Sequence, residues 1–295
     1  MAMKNIGFIG LGMMGKPMTA CLAQAGFKLY LLDADHDRTD ALVKAYGAQH
    51  LTKGEAGGLD MLITMLPKSD IVEAVLLKEG WAEALKKSAV VVDMSSSAPL
   101  QSRALCKTLA ELGLGYLDAP VSGGVRRAAD GKLAILVGGA PTLLATCRPV
   151  LAAMGSSILH IGEAGAGHAA KALNNFVSAI GLMATVEALH VAERFGISPD
   201  TMTDVLNAST GRSNTSENKV KQFMLNGSYA SGFALELMDK DLSMAGALAD
   251  ALGYPLRVGH HGIEIWHEIT QSAPAGADHT EIYHLLNNEI QDLKS

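Results

Sequence analysis

Two spacings in this chain carry chemistry of their own. The first is Gly10-Leu11-Gly12-Met13-Met14-Gly15, a G-x-G-x-x-G string directly behind the apolar run Ile6 to Ile9. Gly10 allows a tight turn off a strand, Gly12 lets backbone approach a pyrophosphate, and Gly15 lets the next helix pack close. The helix start then offers N–H donors and a positive dipole end to the anion. An acid follows at Asp33, about 20 residues on, where a carboxylate accepts from ribose hydroxyls and repels a 2′-phosphate. The expectation is a dinucleotide site preferring NAD to NADP. Arg38 nearby argues the other way, since an Arg there can hold a 2′-phosphate.

The second spacing is Lys171 and Asn175, one helical turn apart on one face of Gly165 to Phe176. A desolvated lysine can take a proton from an alcohol as amine and return it to a carbonyl as ammonium. The same spacing also fits a lysine snorkelling on a helix surface. Asp118 to Gly124 (D-A-P-V-S-G-G) places the hydroxyl of Ser122 before two glycines, a cradle for a carboxylate or an ordinary glycine turn. Lys240-Asp241-Leu242 places a lysine either toward a cleft or in a salt bridge to Asp239 or Asp241.

The elements that must position these residues fall into two patterns. Strands are expected over Lys4 to Ile9, Phe27 to Leu32, Met61 to Leu66, Ala89 to Asp93, Leu114 to Ala119, Leu133 to Val137 and Ser157 to His160. Helices lie between them, with Ser69-Asp70 expected to cap one and Pro99 to open another. Short buried strands between helices give a doubly wound, mainly parallel sheet. After Gly162 strand signals stop. Ala166 to Phe195 reads as one long helix, followed by helices over Pro199 to Ala208, Glu217 to Asn226, Lys240 to Leu252, Leu256 to Thr270 and His279 to Leu293. The expected fold is an α/β Rossmann-like domain over 1–162 and an all-α domain over 163–295, joined by the long helix. Ligands of such sheets bind at the strands' carboxyl ends, which places the expected site at the cleft between the domains.

Composition narrows the function classes. The 24 basic and 30 acidic residues leave a net charge of −6, against a nucleic-acid surface. Cys21, Cys106 and Cys147 have no metal or disulfide spacing, and the ten histidines form no ligand motif, so no metal is expected. The thiols point to a reducing, cytoplasmic setting. No apolar stretch reads as reaching membrane-span length without polar interruption, and the N-terminus lacks a signal-peptide pattern.

In this order the strings Gly7 to Met18, Asp118 to Gly124, Gly165 to Asn175 and Lys240 to Leu242 resemble the 3-hydroxyisobutyrate dehydrogenase family of β-hydroxyacid dehydrogenases, across nearly the whole chain. The resemblance implies hydride transfer between NAD and a small 3-hydroxy acid, giving a semialdehyde or 3-keto acid, in a homodimer or homotetramer. It implies that Lys171 is the acid/base, that Ser122, Gly123 and Gly124 hold the substrate carboxylate, and that Asn175 orients the substrate. Gly10, Leu11, Gly12, Met13, Met14, Gly15, Asp33, Met65, Leu66 and Pro67 would line the dinucleotide. Ser96 stands where the family often has Thr, and Lys240 would approach the nicotinamide end. The Asn207 to Ser213 loop, with Arg212, would lie near the site. Tartronate semialdehyde reductases and serine or threonate 3-dehydrogenases share the scaffold. A sulfolactaldehyde-type reductase fits the Ser122-Gly123-Gly124 loop less well. A methyltransferase would need neither the lysine helix nor an all-α half, and a silent NAD-binding protein would not need Lys171, Asn175 and Ser122.

Overall fold

The computed structural model describes residues 3–292. One nine-stranded sheet occupies the first part of the chain: β1 (Asn5–Ile9), β2 (Lys28–Leu32), β3 (Gln49–His50), β4 (Met61–Thr64), β5 (Val90–Asp93), β6 (Gly115–Asp118), β7 (Val121–Ser122), β8 (Leu133–Gly138) and β9 (Gly155–Gly162). Its order is β3-β2-β1-β4-β5-β6-β8-β7, with β9 also on β8. Pairing is parallel from β3 through to β6 and between β8 and β9. It turns antiparallel where β8 meets β6 and β7.

The period-two alternation of strand side chains builds two cores, one on each face of this sheet. Ile6, Phe8, Met61, Ile63, Val90 and Val92 pack on one side with Met18, Leu22 and Val150 of helices Gly15–Gln24 and Pro141–Ala152. Ile9, Leu62, Val91 and Tyr116 pack on the other with Leu76, Trp81, Leu105 and Leu109. Burial on both faces explains why these strands read as unbroken apolar runs. Two short strands, β3 and β7, escape that pattern because each has only two residues and no buried side chain. The Ser69 expectation is corrected: its hydroxyl accepts from the Ala98 N–H at 2.6 Å, joining two loops, and helix Ser69–Glu73 has no side-chain cap. Cys21 and Cys147 are buried, Cys106 is half-buried, and all three are free thiols.

The chain divides into two compact units, Met1–Lys171 and Ala172–Ser295. The 162/163 boundary drawn from the sequence marks where strands give way to helix. The division in compactness falls nine residues later, because the first turns of the long helix Ala166–Phe195 pack on the sheet. The Asp118 carboxylate, fully buried at the end of β6, accepts from the Gly165 N–H at 2.7 Å and the His168 N–H at 2.9 Å. That is an N-terminal cap supplied from a distant strand. Glycine makes the approach feasible. A Cβ on Gly167 would run into the Leu136 carbonyl oxygen and lie 2.9 Å from the Asp118 oxygens.

The second unit contains helices Pro199–Ala208, Asn214–Asn218, Leu235–Ala251, Gly259–Ser272 and Ile282–Asp292, with no strand among the described residues. Its core joins Leu182, Val186 and Leu189 of the long helix to Val220, Leu242, Trp266, Ile269 and Ile282. The expected Glu217 to Asn226 helix is instead a short helix followed by a π turn at Val220–Met224. The expected start at Lys240 is corrected to Leu235, so Lys240 lies inside a helix. The expected end at Leu293 lies outside the described residues. By length and overall composition the long helix is apolar enough to span a bilayer, although Asn174, Asn175 and Glu187 interrupt its apolar run. Half of its most apolar window is buried within the protein, as a core helix requires.

Gly167→Ala is expected to destabilise the protein by about 1–3 kcal/mol, because backbone rather than a flexible side chain must move aside. Urea unfolding would check this, and an unchanged midpoint would remove the close approach as a constraint.

Candidate active site

The glycine turn is built as its spacing requires. Gly10 has φ +99°, and a Cβ there would strike the Met65 carbonyl oxygen. A Cβ on Gly15 would strike the Gly10 carbonyl oxygen, so the helix start sits directly against the turn. At Gly12 a Cβ would meet nothing within 4 Å. Helix Gly15–Gln24 has no side-chain cap and no acid in its first turn. Open space beside Gly12 and an uncapped helix N-terminus fit a dinucleotide pyrophosphate.

Asp33 has a second task that its position in the sequence does not reveal. One carboxylate oxygen accepts from the Leu11 N–H at 2.6 Å, bracing the glycine turn. The other accepts from the Asp35 N–H at 2.9 Å and from Arg38 at 3.1 Å. A carboxylate has about four acceptor positions, so capacity for a ribose hydroxyl remains. Arg38 also pairs with Asp35 at 3.0 Å. Its charge is thus shared between two acids, which weakens the case for it as a 2′-phosphate ligand. Met65 and Leu66 follow β4, where the Leu66 N–H donates to the Ser95 hydroxyl at 2.8 Å. Pro67 is exposed in the same loop, Met13 is exposed and Met14 is half-buried. Ser96 is half-buried beside Ser95, whose hydroxyl does the bracing.

Ser122 closes β7 and is half-buried; Gly123 and Gly124 are exposed. Both glycines hold positive φ, +133° and +68°, which L side chains rarely adopt. The loop starts four residues after Asp118, the same residue that caps the long helix. One strand end therefore positions both the Ser122 loop and Lys171.

The same helix start carries a polar cluster the sequence reading did not single out. The His168 ring is buried, 2.8 Å from the Ser102 hydroxyl through Nδ1 and 3.0 Å from the Ser95 carbonyl through Nε2. A carbonyl only accepts, so Nε2 donates to Ser95. Asp93 and Asp118 lie 4.0 Å and 3.8 Å from the ring. Asp93 in turn accepts from Thr64 at 2.9 Å and from Ser97 at 2.7 Å. His168 thus ties the loops after β4 and β5 to the helix that carries Lys171, three residues further on. The available signal was Gly165-x-Gly167, a helix start too small to stand off from the sheet.

In the second unit, Asn175 is buried and donates through Nδ2 to Asp241 at 2.5 Å. The other Asp241 oxygen lies 3.2 Å from the Lys240 ammonium. Asp241, one of the two salt-bridge partners considered for Lys240, pairs with it, and Asp239 lies 3.0 Å from His267. Asn175 and Lys240, assigned separate tasks by resemblance, are thus held by one carboxylate. Arg212 is exposed and lies 3.5 Å from Glu217.

Two family descriptions divide the chain. The NAD binding domain of 6-phosphogluconate dehydrogenase matches residues 5–162, and the NAD-binding region of NADP-dependent 3-hydroxyisobutyrate dehydrogenase matches 165–286. The chain is 40% identical to 2-(hydroxymethyl)glutarate dehydrogenase of Eubacterium barkeri, over 82% of this chain and 81% of that protein. It is 34% identical to mitochondrial 3-hydroxyisobutyrate dehydrogenase of Drosophila melanogaster, over 97% and 90%. The solved structure of Mycobacterium tuberculosis 3-hydroxyisobutyrate dehydrogenase with L-serine superposes with a TM-score of 0.90 at 32% identity, covering 96% of this chain and 99% of that one. With the glycine turn, Asp33 and the lysine-bearing helix in place, the chain belongs to the 3-hydroxyisobutyrate dehydrogenase family, as an NAD-dependent dehydrogenase of β-hydroxyacids acting on CH–OH groups.

Proposed function

We propose that this chain interconverts a small 3-hydroxy acid of the form HO–CH2–CH(R)–COO⁻ and its semialdehyde, with Lys171 as the general acid/base. Chemistry supports the frame. 3-Hydroxyisobutyrate, 2-(hydroxymethyl)glutarate and L-serine, the compounds in the names of the three similar proteins, all carry a hydroxymethyl group on the carbon that bears the carboxylate. They differ only in R. Tartronate semialdehyde and serine chemistry fall within the same frame.

The observation that carries the reading is the shared anchor at Asp118. It fixes the start of the Lys171 helix and lies four residues before Ser122. In the proposed roles, the Ser122 hydroxyl and the Gly123 and Gly124 N–H groups hold the carboxylate. Asn175 orients the substrate one turn beyond Lys171. The Lys171 amine takes the hydroxyl proton during oxidation and returns it during reduction. Gly10 to Gly15, Asp33, Met65 to Pro67, Ser96 and Lys240 would hold the NAD, which when bound supplies the hydride acceptor. The balanced reaction is HO–CH2–CH(R)–COO⁻ + NAD⁺ → OHC–CH(R)–COO⁻ + NADH + H⁺.

We also infer a homo-oligomer. Val177, Val191 and Phe195 of the long helix are 69%, 67% and 83% exposed. With the exposed Leu173 and Ala184, they follow helical steps of four and seven along one side. Such a stripe is characteristic of an interaction face. The free thiols support the cytoplasmic setting expected above.

Lys171→Ala should lower turnover roughly 10²- to 10⁴-fold while NADH affinity by fluorescence titration stays close to wild type. Near-normal turnover would sink the Lys171 assignment. Val177→Glu should shift the protein to a smaller species in size-exclusion chromatography with light scattering, with its circular dichroism unchanged. A monomeric wild type would overturn the oligomer.

A further inference from the structure

The second unit holds a lysine that neither the reaction nor the fold has used. Lys219 is half-buried at the junction between helix Asn214–Asn218 and the π turn Val220–Met224. Its Nζ lies 3.5 Å from the Ser178 hydroxyl. Ser178 belongs to the long helix, at i+7 from Lys171 and i+3 from Asn175. At about 100° per residue these three positions fall within roughly 60° of one another around the axis, and Lys171 and Ser178 stand about 10 Å apart along it. Lys219 therefore brings its ammonium to the helix face that carries the residues assigned to proton transfer and substrate orientation.

That ammonium has no carboxylate within 4.0 Å among the described residues, unlike Lys86, Lys221 and Lys240, which each have at least one. The acid whose charge acts on it is Asp278, which lies beyond ion-pair distance. Asp278 is already committed. It accepts from the Ser231 hydroxyl at 2.8 Å, the Gly232 N–H at 2.8 Å, and the Thr280 N–H and hydroxyl at 2.9 and 2.6 Å. The other titratable neighbour is His279, whose ring Nδ1 lies 3.0 Å from the Phe233 carbonyl. Burial and the Lys219 charge hold its pKa down to about 4, so at neutral pH it adds no positive charge. Burial also pulls Lys219 down to about 8. A desolvated cation without an ion-pair partner costs free energy unless an anion joins it. At a site whose substrate already carries one carboxylate, such a cation is suited to a second.

We propose that Lys219, with the Ser178 hydroxyl, binds a carboxylate on the R group of the substrate, so that this enzyme prefers a dicarboxylic 3-hydroxy acid over one with an uncharged or cationic R. The inference rests on the HO–CH2–CH(R)–COO⁻ frame proposed above and specifies R. Lys219 then acts in recognition, while Lys171 moves the proton.

The test compares 2-(hydroxymethyl)glutarate, 3-hydroxyisobutyrate and L-serine as substrates with NAD, for wild type, Lys219→Met and Lys219→Arg. Wild type should favour the dicarboxylate in kcat/KM by about tenfold or more, the worth of one charge-assisted hydrogen bond. K219M should collapse that ratio, mainly through KM, and K219R should retain most of it. An equal loss on all three substrates, or a wild type that prefers 3-hydroxyisobutyrate or serine, overturns the proposal. Binding gives an arm independent of turnover: 2-methylglutarate should raise the melting temperature of wild type and K219R more than isobutyrate does, and should lose that advantage in K219M. If no hydroxy acid is oxidised but this binding difference holds, the reaction reading fails and the Lys219 site stands. If oxidation proceeds without the difference, the reverse is true.

Discussion

A single buried carboxylate sets the geometry of the first unit. Asp118 has no exposed surface, and a charge so placed is tolerable only if its lone pairs are filled. Here they are filled by N–H groups at the start of the long helix, whose dipole end is positive. The interaction satisfies both sides: the helix receives a cap that its own sequence, Gly-Ala-Gly, cannot supply, and the acid receives donors. Because the cap comes from the end of β6, the helix is registered against the sheet before any substrate arrives. Lys171 inherits that register.

The glycines are the sequence-level trace of this constraint. Gly10 and Gly15 are required because backbone oxygens occupy the space a Cβ would need, and Gly167 meets the same limit at the long helix. Gly12 differs, since nothing crowds it. The spacing assigns Gly12 to the ligand and Gly10 and Gly15 to the turn and the helix, and the space around each matches that division; only the crowding at Gly167 had no counterpart in the motif.

Much of the architecture was legible for a simple reason. Strands buried on both faces appear as apolar runs, and the long helix appears as a stretch without proline. Elements governed by side-chain pairing were not legible. Ser69 looks like a cap but accepts from Ala98, and Lys240 looks like a helix start but lies within one. Residues joined through a third party were harder still. Asn175 and Lys240 stand far apart in sequence and both depend on Asp241; His168 reaches Ser95 and Ser102, which no periodicity connects. Motifs name the residues of a site one at a time, whereas buried polar groups must be satisfied collectively.

The same collective rule bears on substrate choice. In the second unit Asp278 spends its oxygens on closing the turn from Ser231 to Phe233 and the turn at Thr280. Were it less committed, it could have moved to Lys219 and neutralised it, and the lysine would be a structural ion pair. By holding the acid in local hydrogen bonds, the fold keeps an ammonium close to Ser178 with no carboxylate within ion-pair distance among the described residues. Selectivity between uncharged, cationic and anionic R groups then follows from electrostatics alone. A cationic group meets repulsion and an uncharged group leaves the desolvation uncompensated, whereas a carboxylate offsets it.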